Sequence, residues 1–201
     1  MNPLLPWGQI KQLVLSGGSF LFFGEAMARL SAYLMGQFSL QGKPITLVDA
    51  AQSFDPYLVA RVGRLSGTPP RILLERIRLS RAFTCHQLVT LLCETLPEKN
   101  RLGPLFVLGP GLLFYDEQVP LKERQALFRQ VLRSLMALRE RGQGYYLFQG
   151  PISRQVKNQH FGRELSRSVQ WVIRVNLGVE GLEGKLLKAG FEGEKIQGGR
   201  G

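Results

Sequence analysis

The chain has 201 residues, of which 44% are hydrophobic and 20% charged; this composition excludes a disordered protein and fits one globular domain with its own core. Lysine and arginine number 26 against 15 acidic residues, a formal net charge of +11 that indicates either a polyanionic partner or adaptation for solubility. The sequence contains neither a run of eighteen uncharged apolar residues nor a signal peptide, so we expect a cytoplasmic protein without a membrane span.

Strand-like and helix-like segments alternate along the chain. Short apolar runs or apolar alternation, typical of strands, occur in six segments: 11–16, 44–50, 75–83, 104–114, 145–150 and 169–176. Apolar residues at helical spacing fall between them: 24–38, 56–65, 88–96 and 120–141. This alternation predicts an α/β fold with a mainly parallel sheet flanked by helices, in a single domain over residues 1–201. The glycine-rich segment 190–201 is predicted to be a frayed tail.

Three local patterns refine these predictions. Asp55 stands where it can cap a helix that begins with Pro56. Thr84 and Gln87 form a T-x-x-Q capping box at the beginning of the next helix. In the strand before that box, Leu79 is predicted to face inward, while arginines alternate outward.

The cysteines and histidines give no sign of a metal site. Cys85 and Cys93 fall in one predicted helical region, where their separation along the helix is too large for a disulfide. His86 and His160 lie far apart, and nothing has the spacing of zinc ligands. We therefore expect a reduced protein with no metal and no cofactor, and core or near-core thiols.

The stretch SGGSFLFFGEAMARL, residues 16–30, has the layout of a nucleotide-binding loop. An apolar segment leads into glycines, a helix-like run follows, and the next apolar segment ends in an aspartate. Aligned with G-x-x-x-x-G-K-[ST], the chain has Glu25 at the lysine and Ala26 at the hydroxyl. The positions of this degenerate nucleotide site are: Gly17, Gly18, Ser19, Gly24, Glu25, Ala26 and Asp49. The pattern alone leaves open an active site, the remains of one, or an ordinary strand-to-helix turn in an unrelated α/β protein.

Longer stretches resemble the RecA/RadA family of strand-exchange recombinases. The resemblance begins at LVDAAQSFDPYLVARVGRLSG, continues through IRLSRAFTCHQLVTLL and LFVLGPGLLFYDEQVPLKERQALFRQVLRSLMALRE, and ends at YYLFQGPI. The most specific pieces are residues 81–87 and 123–125. The order and spacing of these pieces imply a RecA-like P-loop NTPase core over nearly the whole chain.

The family resembled has a phosphate-binding lysine in its first loop, and this chain lacks it. No lysine occurs between Lys11 and Lys43, so no shift of the alignment can restore one. The loop lysine of this family neutralises the β- and γ-phosphates, whereas Glu25 would repel them. Ala26 supplies no hydroxyl for Mg²⁺.

Three further catalytic positions of the family differ in this chain. The family's second strand ends in D-x-E, whose glutamate polarises the attacking water, but here the sequence is Asp49-Ala50-Ala51. Gly109 stands where the family has an aspartate that supports Mg²⁺. Gln149 and Gly150 replace the usual N-Q pair that senses the γ-phosphate. We therefore predict a degenerate ATPase, which is not an enzyme.

Segment 150–168 lies where the family has its second DNA-binding loop, and it is rich in cations. Cations bind phosphates, and an aromatic or imidazole ring can stack on a base. The candidate DNA-binding residues are: Arg154, Lys157, His160, Phe161, Arg163 and Arg167. The alternative is a solvated loop with no ligand.

These observations favour a non-catalytic RecA-like accessory protein in DNA repair or recombination. It would bind a RecA-family, polymerase or nuclease partner, with single-stranded DNA as a further candidate ligand. The alternative is an ATP-binding RecA-type ATPase whose site is unconventional or completed by a partner. A third hypothesis is a structural scaffold whose charge is incidental.

Overall fold

The computed structural model describes residues 4–5, 7–97, 103–152, 160–178 and 181–189. The strands are β1 Leu4–Leu5, β2 Ser19–Gly24, β3 Ile45–Asp49, β4 Ile77–Arg81, β5 Leu105–Leu108, β6 Tyr145–Gln149, β7 Trp171–Gly178 and β8 Gly181–Lys188. The α-helices are α1 Trp7–Ser16, α2 Met27–Leu40, α3 Pro56–Leu65, α4 Pro70–Leu74, α5 Cys85–Val89, α6 Leu121–Glu140 and α7 His160–Ser168. A π-helix, Thr90–Thr95, continues α5, and a 3₁₀-helix occupies Leu112–Tyr115.

All eight strands join in one sheet, in the order β1-β8-β7-β2-β6-β5-β3-β4. The six strands from β7 to β4 in this order are parallel to one another. At the other edge, β8 is antiparallel to β7, and β1 is antiparallel to β8. The predicted α/β fold with a mainly parallel sheet flanked by helices is confirmed.

Apolar side chains cover both faces of the sheet. On one face, Phe20 and Phe22 of β2 pack with Tyr146 and Phe148 of β6 beneath α1 and α2. On the other face, residues such as Leu147 of β6 pack beneath α5, α6 and α7. Strands buried on both faces have continuous apolar sequences instead of alternation, which is why FLFF and YYLF are runs. No helix in the described part of the chain is long and apolar enough to cross a membrane.

The first predicted strand is wrong. Residues 11–16 belong to α1, whose Ile10 and Val14 are buried one helical turn apart against the sheet. The first strand of the parallel core is β2, which begins three residues later. A short apolar run such as QLVL fits a strand and a buried helix face equally well, so its periodicity could not decide between them.

Both predicted helix caps are confirmed. The Asp55 carboxylate accepts a hydrogen bond from the amide of Tyr57 at 2.8 Å, with Pro56 in the first helical position. The Thr84 hydroxyl oxygen accepts from the amide of Gln87 at 3.2 Å. The Gln87 side chain in turn accepts from the amide of Phe83 at 2.8 Å, which completes the capping box.

Burial explains two further outcomes on this side of the sheet. The predicted inward position of Leu79 is wrong, because β4 is an edge strand and the side chain is 40% exposed. Cys85 is buried and Cys93 is half-buried, and both thiols are free, as expected for core and near-core residues. Burial raises the pKa of both thiols, so neither is an activated nucleophile.

The C-terminal part of the fold differs from the sequence prediction. Residues 160–168, predicted as part of a basic loop, form the helix α7. The antiparallel strand β8 has no counterpart among the predicted strands. Segment 153–159 and the predicted tail 190–201 lie outside the described residues.

Candidate functional site

The residues predicted to form a degenerate nucleotide loop lie at opposite ends of β2. Gly17 and Gly18 precede the strand, Ser19 begins it, and Gly24 ends it. A strand of six residues spans roughly 20 Å, so the two ends cannot hold the same phosphate group. The prediction that these residues form one loop is therefore wrong, because the segment between the glycines is a core strand.

The first glycines have a structural explanation. Gly17 and Gly18 have φ values of +104° and +116°, a backbone that favours glycine in the turn between α1 and β2. Beside them, the amide of Ser19 donates to Oε1 of Gln170 at 3.0 Å, and the amide of Gln170 donates to Oγ of Ser19 at 2.9 Å. These bonds join the beginnings of β2 and β7.

Only Glu25 and Ala26 connect β2 to α2. Gly24 has a φ of +146°, and a β-carbon there would lie 1.9 Å from the carbonyl oxygen of Val175 in β7. Glycine is thus required by close strand packing instead of by a ligand. A two-residue turn with an exposed carboxylate at Glu25 has neither the length nor the charge of a phosphate-binding loop.

Asp49, at the end of β3, is fully buried and serves the backbone. Its two carboxylate oxygens accept hydrogen bonds from the amides of Ser53 at 3.1 Å and Phe54 at 3.0 Å. These bonds fix the turn that leads to α3. The carboxylate is therefore occupied within its own loop and does not face a ligand site.

Ala51 and Gly109 meet where β3 and β5 end. A β-carbon at Gly109, whose φ is +68°, would lie 2.8 Å from Cβ of Ala51. The amide of Ala51 also donates to the carbonyl of Leu108 at 3.1 Å. The two positions, 58 residues apart in sequence, are thus in direct contact, and a side chain at 109 would meet Ala51.

Gln149, at the end of β6, is also engaged within the fold. Its Oε1 accepts from the amide of Gly111 at 3.0 Å, and its Nε2 donates to the carbonyl of Gly150 at 3.1 Å. The side chain is 7% exposed. It positions the loop after β5 on the end of β6.

A cleft of about 890 Å³ opens beside these strand ends, on the face covered by α7. Its lining includes Glu25 after β2, Arg174 of β7 and Lys188 of β8. In open parallel sheets, ligands bind outside the carboxyl ends of neighbouring strands whose helices lie on opposite faces. Here β2 leads to α2 on one face and β6 leads to α7 on the other, so the cleft has the position of such a crevice.

The polar groups of the cleft are only partly open to a ligand. Lys188 donates to the carbonyls of Ser166 at 3.0 Å and Val169 at 2.6 Å, and so caps the end of α7. Burial lowers the pKa of this ammonium group. Arg174 is exposed, but Glu25 brings an opposite charge to the same lining. Among the described residues, no group of three His, Cys, Asp or Glu side chains could hold a metal ion.

The predicted DNA-binding residues divide between two environments. His160, Arg163 and Arg167 share the exposed face of α7. Phe161 is only 2% exposed. Arg154 and Lys157 lie outside the described residues.

Phe161 belongs to an aromatic cluster beneath α6 and α7. Its ring centroid lies 4.7 Å from that of Phe128 and 5.3 Å from that of Tyr115. The ring is therefore part of the core, and the prediction that it stacks on a base is wrong. The sequence HFGRELSRS allowed this error because Phe161 and Leu165, which lie one helical turn apart and are both buried, are the apolar stripe of a helix.

The comparisons with known proteins add no relative. No protein-family model matches this chain, and no curated protein matches it.

The sequence analysis missed two exposed aromatic residues, which follow the neighbouring strands β3 and β4. Tyr57 is 79% exposed and Phe83 is 64% exposed, and they are the only exposed aromatic residues in the described part of the chain. The available signal was their position, because Tyr57 lies two residues after the capping residue Asp55 and Phe83 directly precedes the capping box. Arg61, Arg64 and Arg81 are near the two aromatic residues in sequence and are exposed.

Proposed function

We propose that this chain is a non-catalytic RecA-like accessory protein in DNA repair or recombination. It binds a recombination or repair partner of the RecA-family, polymerase or nuclease type, and single-stranded nucleic acid, and it hydrolyses no nucleotide. The contact between Ala51 and Gly109 is the observation that carries this proposal.

The contact supports the RecA-like alignment itself. The resemblance assigns the water-polarising glutamate to Ala51 and the magnesium aspartate to Gly109, two groups that must act on one nucleotide. The structure brings these positions together although they lie on separate strands. Because β3 and β5 are neighbouring parallel strands, residues that follow their ends lie side by side, as two groups acting on one nucleotide must.

The same contact supports the absence of catalysis. Neither Ala51 nor Gly109 supplies a carboxylate, and a side chain at 109 would meet Ala51 at 2.8 Å. At the end of β2, the two-residue connection with Glu25 offers no lysine to the β- and γ-phosphates. The catalytic groups of the family are therefore absent at the ends of three strands, β2, β3 and β5, and not at a single position.

The sheet order supports a RecA-like interpretation over the common dinucleotide-binding folds. Numbered along the chain from β2 to β7, the six parallel strands have the spatial order 6-1-5-4-2-3. The Rossmann order is 3-2-1-4-5-6 and the flavodoxin order is 2-1-3-4-5. Neither dinucleotide nor flavin binding is thus favoured by the topology.

The accessory role is tested by deleting the gene in its source organism and measuring survival after DNA damage. We expect deletion to lower survival or damage-induced mutagenesis, and both the wild-type gene and a Glu25→Gln gene to restore it, because no carboxylate chemistry is required. Unchanged survival and mutagenesis over several types of damage would contradict the proposal.

The alternative is an ATP-binding RecA-type ATPase whose site a partner completes. The cleft beside the strand ends favours it, because about 890 Å³ is enough space for a ligand of nucleotide size. Purified protein is titrated with ATP, alone and with the RecA-family protein of the same organism. Micromolar binding or turnover that depends on the partner would favour this alternative.

A further inference from the structure

Two aromatic rings lie in water on a protein whose other described rings are buried or half-buried. Tyr57 is 79% exposed and Phe83 is 64% exposed. An exposed ring lacks the stabilisation that burial of a large apolar side chain contributes. Two such rings on neighbouring segments therefore indicate a surface that is covered by a ligand.

Both rings are held on fixed backbone. Tyr57 is the second residue of α3, and its amide donates to the capping carboxylate of Asp55. Phe83 precedes α5, and its amide donates to the side chain of Gln87 in the capping box. Rings on pre-organised backbone lose little freedom when a ligand binds, which favours affinity.

The two rings follow neighbouring strands at the same end of the sheet. Tyr57 comes after β3 and Phe83 comes after β4, and these strands pair in parallel. The side chain of Gln52 joins the two strand ends, because its Nε2 donates to the carbonyls of Asp49 at 3.2 Å and Ala82 at 2.9 Å. The rings thus belong to one edge of the molecule.

Arginines surround the rings, and acidic residues are scarce. Arg61 and Arg64 lie one and two helical turns after Tyr57 on the exposed face of α3. Arg81 ends β4 and projects to the same face of the sheet as Ile77, which packs against the α3 side of the core. Residues 55–83 contain six arginines, no lysine and two acidic residues. Of these two, Asp55 caps α3 through the amide of Tyr57, and Glu75 is paired with Arg71 at 2.6 Å.

We propose that single-stranded nucleic acid binds to this α3–β4 surface, defined by Tyr57, Arg61, Arg64, Arg81 and Phe83. Bases stack on the two rings, and the arginines bind the phosphates. Rings of this kind stack only on unpaired bases, and guanidinium groups bind phosphate irrespective of sequence. The proposal rests on the accessory function above and moves its nucleic-acid contact from the segment 150–168, whose Phe161 is buried, to the segments that follow β3 and β4.

A protein partner is the other class of ligand that exposed rings attract. The charge of this surface favours a polyanion instead, because six arginines accompany only two carboxylates in residues 55–83, the helix cap Asp55 and the paired Glu75. Leu65 is also 80% exposed, but it lies eight residues after Tyr57, roughly 12 Å farther along the helix. The proposed site for stacked bases therefore consists of the two rings with Arg61 and Arg81, and it does not include Leu65.

The test is fluorescence anisotropy of the full chain with labelled single-stranded deoxy- and ribo-oligonucleotides and with duplex DNA, over a range of salt concentrations. We expect single strands to bind more tightly than duplex. The double variant Tyr57→Ala with Phe83→Ala should weaken binding by roughly 5- to 150-fold for each ring that stacks. Tyr57→Phe and Phe83→Tyr keep a stacking face and should retain most of the affinity.

The cations are tested separately through the salt dependence. Replacing Arg61, Arg64 and Arg81 with alanine should reduce the log–log salt slope by about 0.7 for each phosphate that the variant no longer neutralises. The matched control replaces three exposed cations of α6, Lys122, Arg129 and Arg133, and should leave binding nearly unchanged. A separate α7 control replaces Arg163 and Arg167, the candidates from the sequence. All these side chains are exposed, so the melting temperatures of the variants should match that of the wild type.

Three results would overturn the inference: no binding by the wild type even at low salt, ring variants that bind as well as the wild type, or binding that is abolished only in the α7 control. Loss of self-association or of a protein complex in the ring variants, with nucleic-acid binding intact, would assign the surface to a protein instead. None of these results depends on ATP turnover, so the inference and the non-catalytic function can fail independently.

Discussion

At the residue scale, glycines carry the clearest structural information in this chain. Gly24 and Gly109 each stand where a β-carbon would meet another part of the chain, the carbonyl oxygen of Val175 or the side chain of Ala51. In a nucleotide-binding protein, glycines at strand ends would be attributed to the approach of a phosphate. Here the chain itself fills that space, so the glycines reflect tight packing of strand ends.

The close packing at Gly109 predicts a large cost for its replacement. Gly109→Ala adds a β-carbon 2.8 Å from Cβ of Ala51 and forces a side chain into a positive φ of +68°. We expect the free energy of unfolding to fall by about 2–4 kcal/mol, the sum of a left-handed backbone and an overpacked contact. Urea denaturation followed by circular dichroism measures it.

Gly142→Ala is the matched control for that prediction. Gly142 has a similar φ of +75°, but a β-carbon there would meet nothing within 4 Å. It should therefore show only the backbone cost of about 1–2 kcal/mol. Equal destabilisation of the two variants would mean that the chain around Gly109 and Ala51 relaxes freely. Their contact would then no longer support the proposal of a non-catalytic protein.

At the element scale, the orientation of α7 decides what segment 150–168 can do. Phe161 and Leu165 face the core, while His160, Arg163 and Arg167 face solvent. A helix of this kind presents cations to a ligand but no ring for a base. The helix is held at its end by Lys188 of β8, which donates to the carbonyl of Ser166 in the last turn and to that of Val169 just after it.

The buried ring predicts that Phe161→Ala acts on stability instead of on binding. Removing a fully buried phenylalanine costs about 3–5 kcal/mol, because the variant leaves a cavity beside Phe128 and Tyr115. Arg163→Ala, on the exposed side of the same helix, should change stability by less than about 0.5 kcal/mol. Thermal unfolding of the two variants compares them. A Phe161→Ala protein as stable as the wild type would place the ring outside the core.

The fold could be predicted from the sequence further than the site. The caps at Asp55 and Thr84 and the runs around β3 and β6 were informative, because capping chemistry is local and buried parallel strands are continuously apolar. The prediction of a strand where the chain forms α1 could not be avoided, because a four-residue apolar run is too short to show a period. The site failed for a different reason: which side of α7 is buried, and which strand ends touch, depend on the packing of residues that are distant in sequence.

At the scale of the whole molecule, the carboxyl ends of the parallel strands form an edge whose polar groups serve the fold. Asp49 holds the turn after β3, and Gln149 holds the loop after β5. In a RecA-type ATPase this edge would supply a lysine, a hydroxyl and two carboxylates to one nucleotide. The proposed binding to a polyanion would use the net charge of +11 instead of these groups.

This arrangement predicts no magnesium-dependent ATP hydrolysis above a blank, with or without single-stranded DNA. Nucleotide affinity should also be weak, because Glu25 opposes the triphosphate and the connection after β2 has only two residues. We expect millimolar ATP to leave the melting temperature unchanged. Micromolar binding would show that the edge still accepts a nucleotide.

The double variant Glu25→Lys with Ala26→Thr tests whether the missing groups act together. It restores the lysine and the hydroxyl of the consensus pattern, but Ala51 and Gly109 still supply neither of the two carboxylates. We expect a modest gain in affinity for triphosphate, from the reversed charge, and no turnover. Turnover restored by these two changes alone would show that the strand ends open around a nucleotide, and the chain would then be an ATPase with a damaged loop instead of a binding protein.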